Sequence, residues 1–97
     1  MARFDLHHAA DGYVVDVQSE LLDHLQTRVV IPLMPPHRVP AAMDGLHPRV
    51  TVAGEELILA TQLLAAVPRR VLGRPVGSVA DARDAIDRAL DLLLTGF

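Results

Sequence analysis

The stretch from Ser78 to Phe97 constrains the fold most, because its apolar residues repeat with the period of a helix that something else must cover. Val79, Ala82, Ile86, Ala89, Leu90 and Leu93 recur at three- and four-residue spacing, which lays an apolar stripe along one helix face. Ser78 followed by Asp81 predicts a capping-box-like start. Asp81, Asp84 and Asp87 suit the positive end of the helix dipole, and Asp84 precedes Arg88 at the favourable spacing for an exposed pair. Gly96 frees the backbone for a stop. Leu92, Leu93 and Leu94 together exceed what one stripe can hide, so the helix end calls for cover from outside the chain's own core.

With 97 residues the expectation is one domain over residues 1–97. A domain of that size buries roughly two-thirds of the surface its unfolded chain exposes. There is no cysteine, so neither disulfides nor thiolate metal sites supplement the core. No stretch reads as a signal peptide and no apolar run approaches the ~20 residues that span a bilayer, which makes the cytoplasm the expected compartment. Net charge is -3, with nine basic residues, all of them arginine. Mild acidity and only three aromatics (Phe4, Tyr13, Phe97) argue against direct binding of DNA or RNA. Hydrophobic residues make up 51%, a surplus whose simplest outlet is a homodimer.

Ahead of the helix the pattern has mostly the two-residue period of strands. Phe4 and Leu6 alternate with Arg3, Asp5 and His7, predicting a half-buried strand over Ala2–His8. Asp11-Gly12 predicts a hairpin turn, followed by a second strand in which Tyr13, Val15 and Val17 alternate with Val14, Asp16 and Gln18. Ser19–Asp23 reads as a loop in which Ser19 can cap one helical turn. Arg28–Leu33 reads as a strand, with Pro32 calling for an edge or a bulge. Pro35, Pro36 and Pro40 make a loop; Val50 and Val52 start a fourth strand that turns at Ala53-Gly54. Glu55–Val67 favours helix on propensity alone, and Arg69–Leu72 reads as a short strand.

Several of these pieces, in this order, resemble the CcdB family of plasmid and chromosomal toxins. They are Val15-Asp16-Val17-Gln18-Ser19, Val30-Ile31-Pro32-Leu33, Leu46-His47-Pro48 with the Val52-Ala53-Gly54 turn, Val67-Pro68, Val71-Leu72-Gly73, and a helix closing at Gly96. The likeness runs from about Tyr13 to Phe97. It implies an α+β fold of the CcdB/MazF/Kid type: an SH3-like, barrel-type antiparallel five-stranded sheet, a small second sheet and a C-terminal helix. It turns Glu55–Ala60 from helix to strand, and it implies a homodimer with the two C-terminal helices near the dyad. In function it implies a type II toxin that binds the A subunit of DNA gyrase and traps the cleaved-DNA complex. A cognate antitoxin with a disordered C-terminal segment would neutralise it. The family's Trp-Gly-Ile terminus falls on Thr95, Gly96 and Phe97. Replacing such a tryptophan by threonine at a small interface removes roughly 2–4 kcal/mol. Leu21, Leu22, Asp91 and Leu94 join the three terminal residues as gyrase-facing candidates.

No catalytic, cofactor or metal site emerges from the residue pattern. His7, His8, His24, His37 and His47 lack the spacing of a zinc site and read as surface or strand-end residues. The enzymatic alternative is a MazF-like endoribonuclease, with His37, Arg38 and Asp16 or Asp23 as its acid, base and phosphate clamp. A further alternative is a homologue that binds antitoxin but has lost gyrase poisoning through Thr95.

Overall fold

The computed structural model describes residues 2–10 and 12–96. Its strands are β1 (Asp5–Ala9), β2 (Gly12–Asp16), β3 (Thr27–Met34), β4 (Arg49–Val52), β5 (Glu55–Leu59), β6 (Ala65–Pro68) and β7 (Gly77–Ser78), followed by the helix α1 (Arg83–Thr95). All pairings are antiparallel, in the order β4-β5-β3-β2-β1-β7 with β6 also on β3. The sheet curls as a half-barrel, and α1 closes its concave side. The architecture is α+β as expected, but with seven strands in one network in place of five strands and a separate small sheet.

The cause lies in β3, which serves two partners on one flank. Residues Thr27–Val30 pair with β6, while Leu33 and Met34 pair with β5; the other flank faces β2 from Tyr13↔Leu33 to Asp16↔Val30. Pro32 sits in the gap between the β6 and β5 pairings, where that flank asks for no ladder donor. It therefore occupies a central strand, not the edge or bulge its missing N–H suggested. Its carbonyl still accepts from Ala60 N–H at 3.0 Å.

The hairpins fall where turn chemistry put them. Ala53 (φ 52°) and Gly54 (φ 81°) link β4 to β5, with both central residues in the left-handed region that a twisted two-residue hairpin requires. Between β1 and β2, Ala9 pairs with Gly12, so Gly12 is already strand; Ala10 takes φ 50°, and Asp11 lies outside the described residues. Glu55–Leu59 is strand despite its helix propensity, because Leu57, Ile58 and Leu59 are buried by the sheet. Arg69–Val71, expected as strand, is a 3₁₀ turn that begins directly after Pro68.

The helix starts later than Ser78 predicts. Ser78 belongs to β7, and its Oγ accepts from Ala80 N–H at 3.1 Å in a local turn; the 3₁₀ turn Ala80–Ala82 that follows has Val79 at its N-cap and no side-chain cap. α1 begins at Arg83 without a side-chain cap and ends at Gly96 (φ 83°), whose N–H donates to Leu92 O at 3.0 Å. Ile86 and Ala89 are fully buried, with Ile86 in the same core as Phe4, Leu6, Val15, Ile31, Leu33, Leu57 and Leu59. Among the described residues, Asp87 and not Asp84 makes an ion pair, with Arg3 at 2.6 Å.

Candidate functional site

The predicted partner-facing residues fall on two surfaces at opposite ends of α1. At its C-terminal end, Asp91 and Leu94 are exposed, Leu94 by 67%. Thr95 turns its hydroxyl back along the helix to donate to Asp91 O at 2.7 Å, and Gly96 caps the helix. Phe97 lies outside the described residues. The surroundings are apolar: α1 packs on the 3₁₀ turn Thr61–Leu63, Leu92 lies beside Gly45, and Met43 and Leu63 are largely exposed.

The second surface is the loop from Ser19 to Gln26, which carries Leu21 (88% exposed), Leu22 (45%) and Leu25 (39%). Leu21 lines an open cleft of about 530 Å³ with Arg3, Val17, Ser19, Glu20 and Arg83. Arg83 opens α1 and Thr95 ends it, so roughly 18 Å of helix separates this cleft from the tail. The guanidinium groups of Arg3 and Arg83 lie 4.4 Å and 5.6 Å from the centre of the Phe4 ring, a cation–π arrangement. Phe4 is buried at φ 72°, a rare backbone state for an aromatic residue.

What holds the leucine loop in place is a charged cluster beneath it. Ser19 caps the 3₁₀ turn Glu20–Leu22 by accepting Leu21 N–H at 3.2 Å, as its hydroxyl suggested. Below, Arg28 reaches both oxygens of Asp16 (Nε to Oδ2 2.8 Å, Nη2 to Oδ1 2.9 Å) and Oδ1 of Asp23 (Nη1, 2.9 Å). Gln18 Nε2 donates to Leu22 O at 3.0 Å, and Gln18 Oε1 accepts from Val29 N–H at 3.0 Å. Arg28 is pushed above its ordinary range chiefly by the hydrogen bonds to Asp16, with the charges of Asp16 and Asp23 adding and burial opposing.

Asp16, at the end of β2, and Gln18, two residues beyond it, are buried although polar. The reason is Arg28, whose side chain is also fully buried and needs a carboxylate there. His7 departs from its expected surface place. The segment from Leu72 to Val76 covers β1, with Val76 N–H donating to Leu6 O at 2.7 Å. His7 is completely buried, with Nδ1–H donating to Gly73 O at 2.9 Å and Nε2 without a partner among the described residues. His47 is fixed as well: Nδ1 accepts from Met43 N–H at 2.9 Å, leaving Nε2–H to donate to Gln62 Oε1 at 2.7 Å.

The residues considered for RNA cleavage are not brought together. Both oxygens of Asp16 are held by Arg28 at the β3 end marked by Val30. His37 and Arg38 follow Met34 at the other end, roughly 13 Å of strand away. Asp23 is shared by Arg28 and Arg69. Among the described residues no three His, Asp or Glu side chains are placed to hold a metal ion, and no helix is long and apolar enough to cross a membrane.

Sequence reading missed Gln18, Arg28 and Arg69 as the supports of the leucine loop. The available signal was a charged residue, Arg28, at the head of a β-branched strand in a chain where Asp16 stands among valines. A family model described as CcdB protein matches residues 3–96, nearly the whole length. With the half-barrel, the closing helix and the Gly96 stop in place, this chain belongs to the CcdB family of toxin–antitoxin toxins.

Proposed function

We propose that this protein acts as a gyrase poison without making or breaking a bond itself, binding the A subunit of DNA gyrase through the end of α1 and the leucine loop. The observation that carries this reading is the exposure of Leu21 and Leu94, at 88% and 67% the most exposed large apolar side chains among the described residues. Exposed apolar residues on a capped helix end and a braced loop suit the anchors of a protein interface, where a few buried side chains supply most of the affinity. Asp91, Thr95, Gly96 and Phe97 complete the tail contact, with Leu22 beside Leu21.

Because the two surfaces lie at opposite ends of α1, a homodimer that sets two helices near a dyad would present loop and tail jointly. Met43 and Leu63 supply apolar area for that contact. A cognate antitoxin with a disordered C-terminal segment would cover the same surfaces, in the cytoplasm. A supercoiling assay with purified protein and gyrase tests the reading: inhibition with accumulation of cleaved DNA supports it, and unimpeded supercoiling refutes it.

A second reading is favoured by one observation. Thr95 stands where the family places tryptophan and spends its hydroxyl on Asp91 O. In that reading the chain retains antitoxin binding and has lost gyrase. Pull-down separates the two: an antitoxin peptide retained with no gyrase A supports the second.

A further inference from the structure

We propose that Arg69 is a positioning residue, a latch that sets the shape in which the leucine loop meets gyrase A; this rests on the function proposed above. The loop makes only short-range backbone bonds of its own: Leu22 N–H to Ser19 O at 3.0 Å, Asp23 N–H to Glu20 O at 3.2 Å and Leu25 N–H to Leu22 O at 3.1 Å. Leu21 stands in solvent and neither Leu22 nor Leu25 reaches the core, so apolar packing does little to fix it. Isolated turns of this length do not hold one conformation unaided.

From outside the loop, Gln18 meets Leu22 O, and Arg69 meets the carbonyls of Asp23, Leu25 and Gln26. Its Nη1 donates to Asp23 O and, at 3.2 Å, to Leu25 O, its Nη2 donates to Asp23 Oδ1 at 3.3 Å, and its backbone N–H donates to Gln26 O at 2.7 Å. One guanidinium thus clasps two carbonyls and a carboxylate from the 3₁₀ turn Arg69–Val71, far along the chain. A planar fork of donors makes this possible; a lysine ammonium could satisfy only part of it. Arg28 and Gln18 hold the inner side of the loop; Arg28 meets Arg69 at Asp23 Oδ1, to which both donate, and otherwise binds Asp16, while Gln18 binds Leu22 O. Arg69 is partly exposed, so removing it leaves the buried Asp16–Arg28 pair and the core intact. A loop held ready before contact binds without a further ordering cost.

Hydrogen exchange and gyrase A binding, measured on the full-length chain and its Arg69→Ala and Arg69→Lys variants, test the latch. Arg69→Ala is expected to speed exchange of the Asp23 and Leu25 amides about tenfold and to weaken gyrase A binding about tenfold, with Arg69→Lys intermediate. Leu21→Ala should weaken binding and leave exchange unchanged. If Arg69→Ala lowers the melting temperature sharply, Arg69→Gln, which keeps donors for the carbonyls without the charge, carries the same comparison. Unchanged exchange in the variants overturns the latch. Faster exchange with unchanged affinity overturns its role in docking. A wild-type chain that fails to bind gyrase A overturns the function proposed above and the docking role with it, while exchange still judges the latch on its own.

Discussion

Arg28 meets Asp16 through two hydrogen bonds, Nε to Oδ2 at 2.8 Å and Nη2 to Oδ1 at 2.9 Å, with neither side chain exposed to solvent. The pair joins the end of β2 to the start of β3 below the leucine loop. Removing one partner leaves the other charged and buried. Asp16→Ala is therefore expected to cost about 3–5 kcal/mol in urea denaturation, whereas Asp16→Leu combined with Arg28→Met should recover most of that loss. A double variant as unstable as the single one would show that the pair contributes more than mutual neutralisation.

The pH response of this pair follows from the direction of its shift. Hydrogen bonding to Asp16 raises Arg28 above its ordinary range. A raised base contributes stability that is fully present below its unfolded pKa and lost as pH rises through its folded pKa. Stability measured from neutral pH to pH ~10 should then show no loss attributable to Arg28, since an arginine remains protonated throughout that range. A wild-type decline that Arg28→Met abolishes would contradict this.

Ile86 is the fully buried centre of the α1 face. Ile86→Ala is expected to cost about 2–5 kcal/mol, since the helix is held on the sheet and cannot close the gap freely. In thermal unfolding, each kcal/mol should lower the melting temperature by roughly 4–8 °C for a chain of about this length. Substituting the neighbouring exposed Ala85 by Ser should leave the midpoint almost unmoved.

At the β4–β5 turn, Ala53 occupies the left-handed region at φ 52°, a position that asparagine tolerates better. Ala53→Asn should raise stability by about 0.5 kcal/mol, and Gly54→Ala, at φ 81°, should lower it by about 1–2 kcal/mol. Chemical denaturation of both variants checks the pair of signs.

For the proposed gyrase contact, Leu94→Asp and Leu21→Asp each place a charge where an apolar anchor is expected. Both should reduce inhibition in a supercoiling assay by roughly tenfold or more while leaving the unfolding midpoint nearly unchanged. Retained inhibition in either variant removes that residue from the contact.

Local chemistry made the hairpins, the closing helix stripe and the Gly96 stop legible. Ala53-Gly54 and the turn before Gly12 depend on backbone conformations that few residues favour, and a stripe of six apolar residues has one helical reading. Long-range contacts were hidden. Nothing near Asp16 announces Arg28, and nothing near Arg69 announces Asp23, because each partner arrives by the curl of the sheet. Propensity alone favoured helix for Glu55–Leu59; the family resemblance turned it to strand, and burial of Leu57 and Leu59 is the physical reason. Ser78 misled because its hydroxyl turns to the nearby Ala80 N–H, five residues before α1 begins. The tail candidates were readable only as a set of residues; their distance from the leucine loop along α1 is a property of the fold.

The pairing of β1 with β7 has a consequence for how the protein is made. Leu6 finds Gly77, and Asp5 finds Ser78, only near the end of the chain, and Arg3 must await Asp87. During translation the first strand emerges long before its outer neighbour, so the half-barrel cannot close around the emerging chain. Completion of the sheet thus waits until residues 77–87 are available to the first strand.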